Sequence, residues 1–239
     1  MREAGRIVAE VLEAMKELVQ PGVSTKELDQ AAEEIIRSHH AIPSFKGYGG
    51  FPASICTSID DEVIHGIPSK KRILEEGQII SIDVGAYKGG YHGDACRTYG
   101  VGNISSEDQR LIKAAENGFF AGCRLLKSGV YLYDISKAIQ KSVESEGFGV
   151  VRDYVGHGIG KQMHEEPMVP NYRPVGFQRG VKLQKGMALA IEPMITAGSY
   201  KVSVRPDQWT VVTRDGSKAA HYENSVFITE DGYEILTIL

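Results

Sequence analysis

Four acidic residues sit against apolar runs that read as buried strands. Asp83 closes IISID, Glu192 closes ALAIE, Asp94 lies within YHGDACRTY, and Glu223 heads ENSVFIT. If Lys88-Gly89 is the two-residue turn of a hairpin, positions summing to 177 are partners, so Asp83 faces Asp94 on one face of the sheet with Cβ atoms about 5 Å apart. Two carboxylates about 4 Å apart repel by about 4 kcal/mol at an effective dielectric near 20, so such a pair shifts its pKa, loses stability or holds a cation. A solvated hairpin edge is the plain alternative, but Ile80 and Ile82 place Asp83 in a sheet interior.

An internal repeat that matches ALAIE to IISID sets Glu192 symmetrically near Asp83, Glu223 adds a fourth candidate, and four carboxylates on one sheet face would balance two divalent cations. Carboxylates with one nitrogen donor suit Mn, Fe, Co or Zn, and paired ions of this kind stand about 3.5 to 4 Å apart. His157 in YVGHGIG supplies an imidazole, with flanking glycines that permit a strained backbone. Of the seven histidines, His39 and His40 end an amphipathic helix, where a cation meets the helix dipole, while His92 and His221 read as surface strand residues. His65 in EVIHGIP and His164 in QMHEEP lie in loops punctuated by Gly or Pro. Taken singly, either is more often a packed histidine than a catalytic one.

Other chemistries are not supported. GHGIGK has glycines four apart with no Ser or Thr after Lys161, so it is not a phosphate loop; Met168 stands where a zincin helix needs its second histidine; and no GxSxG elbow occurs. Cys56, Cys96 and Cys123 form no CxxC pair and read as reduced, buried thiols.

The elements that must position these groups recur. Apolar residues at helical spacing (Ile7, Val8, Val11, Leu12, Met15, Leu18) precede Pro21-Gly22, and a second helix restarts after Ser24. Residues 106 to 147 repeat that plan, with Gly129 in the place of Gly22. LEEGQIISID and LQKGMALAIE then match at an offset of 109 (74 to 183, 83 to 192). Further strands are expected at Tyr91 to Tyr99, Gly149 to Tyr154, Trp209 to Thr213, His221 to Thr229 and Gly232 to Leu239, with a second hairpin turning near Asp215-Gly216. Paired helices and antiparallel strands make this α+β, a single domain of two related halves, about 1–105 and 106–239.

The 239 residues are 42% hydrophobic and 24% charged, which excludes disorder and leaves a sizeable core. Apolar runs fall short of a membrane span, and no signal-peptide pattern opens the chain, so a cytoplasmic protein is expected. A net charge of -4 offers no basic field for nucleic acid.

The strings SIDVGAYKGGYHGDACRT, YVGHGIGKQMHEEPMVPNY, MALAIEP and HYENSVFIT, in that order, resemble type I methionine aminopeptidases over essentially the whole chain. The resemblance implies the pita-bread fold, a pseudo-twofold antiparallel sheet with two helix pairs on its outer face. It implies two divalent ions held by Asp83, Asp94, His157, Glu192 and Glu223, with Asp94 and Glu223 bridging. The activity implied is removal of N-terminal methionine before a small second residue, by attack of an ion-activated water on the first peptide bond. Glu192 would be the base, His164 would donate to the carbonyl oxygen, and His65 would hold the scissile amide or the residue after it.

Tyr48, Phe51, Cys56 and Trp209 match methionine-pocket positions, while Ile64 and Met163 depart from the family pattern beside them. The chain opens inside what the family has as its first helix. Nascent polypeptide N-termini are the implied partners, met at or off the ribosome by a monomer. An X-Pro aminopeptidase or prolidase shares the fold but carries a large extra N-terminal domain, and a metal-free peptide-binding module would lack the ligands.

Overall fold

The computed structural model describes residues 1–176 and 178–239. Helices α1 (Arg2–Leu18) and α2 (Thr25–Ser38) form one pair, α3 (Ser106–Cys123) and α4 (Leu132–Ser145) the other. Helix α2 starts where Ser24 and Glu27 form a capping box: the Ser24 oxygen accepts from the Glu27 N–H, and the Glu27 carboxylate accepts from the Ser24 N–H at 2.8 Å. Ser105 caps α3 in the same way, accepting from the Asp108 N–H at 3.0 Å.

The repeat extends to individual hydrogen bonds. Gly22 N–H donates to the Leu74 carbonyl and Gly129 N–H to the Leu183 carbonyl, both at 2.8 Å; Leu74 and Leu183 N–H return to Val23 and Val130, again at 2.8 Å. Each connection between paired helices is thereby pinned to the residue that opens the following strand segment.

The first half carries β1 (Ile42–Pro43), β2 (Ile55–Ile59), β3 (Glu62–Ile64), β4 (Ile79–Lys88) and β5 (Tyr91–Gly100). The second carries β6 (Gly149–Val150), β7 (Gly156–Gly158), β8 (Glu165–Val169), β9 (Ala188–Ile191), β10 (Met194–Thr196), β11 (Val202–Val204), β12 (Val211–Thr213), β13 (Ala219–His221), β14 (Asn224–Ile228) and β15 (Tyr233–Ile235). All pairings are antiparallel. Strand β4 runs between β2 and β5 in one sheet, just as β9 runs between β7 and β14 in the five-stranded sheet β15-β14-β9-β7-β8. Two smaller sheets, β13-β10-β6 and β11-β12-β3, complete the layer.

Alternation along the strands decides what faces the helices. Ile80, Ile82, Val84, Ala86 and Ala95 pack with α1 and α2, and Leu189, Ile191, Val226 and Ile228 pack with α3 and α4. Residues of the other parity, including Asp83, Asp94, Ala190, Glu192 and Glu223, therefore face the opposite side. The sheets also meet at a seam: Cys96 and Glu223 exchange both backbone hydrogen bonds, at 3.3 and 3.0 Å. Ser225 Oγ reinforces it, accepting from Asp94 N–H and donating to the Asp94 carbonyl, each at 2.9 Å.

Three sequence expectations change. The first hairpin turns on Gly89-Gly90, not Lys88-Gly89, with φ of 59° and 87°; two successive left-handed residues favour glycine at both positions. Lys88 thus pairs with Tyr91, and Asp83 lies opposite Cys96 while Asp94 lies opposite Gly85, so the two aspartates are diagonal neighbours on one face and not directly opposed. Second, Asp215-Gly216 does not close a hairpin of paired strands, because β12 and β13 on either side belong to different sheets. Third, Asp83 sits mid-strand in β4, since Val84 to Lys88 continue the ladder to the hairpin turn. Among the described residues, no helix is long and apolar enough to cross a membrane.

Candidate metal centre

The acids that face away from the helices converge with one imidazole. One ligand atom each from Asp94, His157 and Glu223 lie within 4.8 Å of one another. His157 Nε2 is 3.6 Å from Glu192 Oε1 and 4.0 Å from Asp94 Oδ2. Asp83 lies diagonally across the β4–β5 ladder from Asp94 and lines the same cavity. Of the five groups expected at an ion pair, all are thus gathered at the seam, three from the second half and two from the first.

His157 reaches the acids because β7 lies tight between its neighbours. A Cβ on Gly156 would stand 2.3 Å from the Ala190 carbonyl oxygen, and one on Gly158 would stand 2.3 Å from that of Glu166. Neither glycine has positive φ, so close packing, not the strained backbone expected from the sequence, explains both. The His157 ring is oriented by a 2.8 Å contact from Nδ1 to the Gly158 carbonyl, which must receive the Nδ1 proton and leaves the Nε2 lone pair toward the carboxylates. Glu192 follows β9 directly, and its carbonyl accepts from Asn171 Nδ2 at 2.9 Å.

Burial sets the electrostatics. It pushes Asp83 up to about 7, against smaller lowering effects from Asp94 and the Val84 backbone. It raises Asp94, Glu192 and Glu223 well above the usual carboxylate range, with mutual repulsion adding to each. Burial also lowers His157 to about 4, with His164 contributing. Asp83 Oδ1 and Asp94 Oδ1 are buried with no hydrogen-bond partner among the described residues. Buried, mutually repelling carboxylates with unpaired oxygens and one imidazole lone pair form a donor set that fits divalent cations.

Above the acids opens a cavity of about 230 Å³. The expected pocket residues Tyr48, Phe51, Cys56 and Trp209 all line it, joined by Phe45 and Met163. Phe51 and Trp209 meet edge to face with centroids 5.1 Å apart. His65 and His164 also line the cavity. The Tyr48 hydroxyl holds His164 Nδ1 at 2.8 Å, and the His164 ring lies 4.2 Å from that of His157. His65 adopts φ of 60°, a conformation that non-glycine residues seldom occupy. Burial, then His164, lowers it to about 4.

Two histidines differ from expectation. His221 is not a surface residue: it is 2% exposed, with Nε2 3.8 Å from Glu192 Oε2 and 4.0 Å from Glu223 Oε2. Burial, with His65 and Arg97 adding, lowers it to about 3. His221 ends β13 and Glu223 stands just before β14, in different sheets, so the single strand expected from His221 to Thr229 is split and no alternation in the sequence links the two side chains. His92 is half-buried, its Nδ1 2.8 Å from Ser44 Oγ.

Known proteins resemble this chain along its whole length. The chain is 59% identical to the methionine aminopeptidase of Clostridium acetobutylicum, over 100% of this chain and 94% of that protein. Its structure superposes on the crystal structure of methionine aminopeptidase from Thermotoga maritima with a TM-score of 0.97 at 44% identity, covering 100% of this chain and 95% of that one. Prolidase from Pyrococcus furiosus shares the fold, with a TM-score of 0.76 at 23% identity over 100% of this chain and 62% of that one. With the family model for metallopeptidase family M24 matching residues 1–230, and with relatives this similar along its full length, the chain belongs to that family of metal-dependent peptidases and has its pita-bread fold.

Proposed function

We propose that this chain is a methionine aminopeptidase that removes the first residue from polypeptides beginning with methionine and a small second residue. The observation that carries the reading is three buried carboxylates, Asp94, Glu192 and Glu223, with half-buried Asp83 and with His157, at the floor of a cavity walled by aromatic side chains and by the sulfurs of Cys56 and Met163. Asp83, Asp94, His157, Glu192 and Glu223 would hold two divalent cations. When bound, such ions supply Lewis acidity and an acidified water.

The chain's own groups do the rest. Glu192 accepts the proton of the attacking water, being held at the centre by its backbone bond to Asn171. His164, with Nδ1 engaged by Tyr48, keeps Nε2 for the carbonyl oxygen as negative charge builds there. His65 holds the scissile amide or the residue beyond it. The substrate's α-amine meets the acidic floor, which restricts cleavage to the first residue, while the methionine thioether packs among Phe45, Phe51 and Trp209. The chain acts as one catalytic unit of two related halves, 1–105 and 106–239. A monomer suffices, since one chain carries every group named, and the substrates are nascent N-termini in the cytoplasm.

The test is methionine release from a Met-Ala peptide with and without chelator, beside an Ala-Pro peptide. Release from the first alone, abolished by chelator, is expected. Cleavage of Ala-Pro, or binding without cleavage, would overturn the reading.

A further inference from the structure

One buried polar side chain at the centre has no role in the reading above. His221 ends β13, is 2% exposed, and among the described residues has no hydrogen-bond partner for Nδ1 or Nε2. Its backbone is locked from both sides, with N–H donating to Thr98 Oγ1 and the carbonyl accepting from the same hydroxyl, each at 2.9 Å. At 2% exposure the ring is shut off from solvent. Its Nε2 stands between two carboxylates, 3.8 Å from Glu192 Oε2 and 4.0 Å from Glu223 Oε2. That is about 1 Å beyond hydrogen-bond length, a gap that a small rotation of either carboxylate closes. Leaving an imidazole unpaired in such a place is costly, so its retention needs a partner.

We propose that His221 is a positioning residue of the metal centre, its Nε2–H donating to the Glu192 and Glu223 carboxylates and fixing the oxygens they turn toward the ions. The inference rests on the reading that these two glutamates hold cations. His221 differs in this from His157, whose Nδ1 proton is taken up by Gly158 and whose Nε2 is free as a lone pair. Among the described residues nothing accepts at His221 Nδ1, so the ring lacks the partner at its second nitrogen that would fix it as a ligand. Donation to a ligating carboxylate is the role its surroundings support.

The experiment is isothermal titration of Co²⁺ into the chelator-stripped full chain for wild type, His157→Ala, His221→Leu and His221→Gln. His221→Leu should bind about 10- to 100-fold more weakly, and His221→Gln, which keeps a donor at similar reach, should return to within about threefold of wild type. Wild-type affinity in His221→Leu beside weakened binding in His157→Ala overturns the role of His221 and leaves the metal reading intact. Equal weakening in His221→Leu and His221→Gln also overturns it, because the loss then follows the ring and not the donor. No Co²⁺ binding by wild type, or none lost in His157→Ala, overturns the metal reading and this inference with it. Should His221→Leu fail to fold, judged by its melting without metal, His221→Met carries the same comparison.

Discussion

Substituting Gly156 by alanine adds one methyl group at the tightest point behind the acids. The new Cβ would stand 2.3 Å from the Ala190 carbonyl oxygen and 3.2 Å from both Glu192 Cγ and Val169 Cβ. Carbon and oxygen in ordinary contact lie about 3.3 Å apart, so β7 and β9 must separate by about 1 Å. Backbone on both sides resists, and overpacking of this kind costs about 1 to 3 kcal/mol. For a chain of this length each kcal/mol moves the midpoint by about 2 to 4 °C, giving a fall of about 2 to 12 °C.

The displacement also falls on the site, because Ala190 is the cross-strand partner of His157. Moving His157 by that amount relative to Glu192, 3.6 Å away, should lower kcat/KM on a Met-Ala peptide by about 100-fold. Thermal melting with and without Co²⁺, together with peptide kinetics, reads both effects. Gly232→Ala is the control: its nearest neighbour would be Thr229 Oγ1 at 3.8 Å, and neither quantity should move. A Gly156→Ala protein with wild-type melting and turnover would refute the packing argument.

Three further outcomes are expected. Chelator should lower the melting temperature and Co²⁺ restore it, by about 2.7 kcal/mol for each ion present at 100 times its dissociation constant; a melting curve indifferent to both would count against a metal centre. Glu33 is held down to about 2 from 4.5, first by its hydrogen bond to Lys46, with Arg37 and Ser54 helping against the cost of burial. A carboxylate with a depressed folded pKa stabilises above its unfolded value, so the advantage of wild type over Glu33→Gln in urea unfolding should be full above pH 4.5 and shrink as pH falls toward 2. Glu62 is wholly buried between Arg72 and Arg205, the latter at 2.6 Å, and also accepts from Ile59 N–H at 2.8 Å. Glu62→Leu leaves the buried Ile59 N–H without its acceptor, while Arg205 keeps Asp61 at 3.4 Å and both guanidinium groups reach solvent, so the cost in urea unfolding at neutral pH should be about 2 kcal/mol.

The helix pairs and the strand offset were legible because each leaves a periodic mark, and the acids were legible as candidates because they stand beside apolar strand runs, whereas His157 was read from its flanking glycines. Residues 25–38 and 132–145 are helices at one spacing, and β4 and β9 begin 109 positions apart, at Ile79 and Ala188. The register of the first hairpin was not legible. Lys88-Gly89 and Gly89-Gly90 both suit a tight turn, and only the pairing of Asp83 with Cys96 decides between them. The diagonal arrangement preserves the shared face because a shift of two positions in pairing keeps side-chain parity. His221 was read as exposed because one polar residue beside Ala219, Ala220 and Tyr222 carries no alternation that tells a buried position from an exposed one. The insertion of β10 to β13 between β9 and β14 likewise has no counterpart in the single turn joining β4 to β5, so it could not be inferred from the repeat.

The seam has a mechanical corollary. Asp83 and Asp94 lie on one side of it, His157, Glu192 and Glu223 on the other, and the Cys96 to Glu223 backbone bonds run between two of the acids. Neither side alone presents a complete cradle, so cation capture works as a clasp that resists prying the lobes apart. The amides of Cys96 and Glu223 should accordingly exchange with deuterium among the slowest in the protein, and slower still with Co²⁺ bound, because opening them requires the lobes to part.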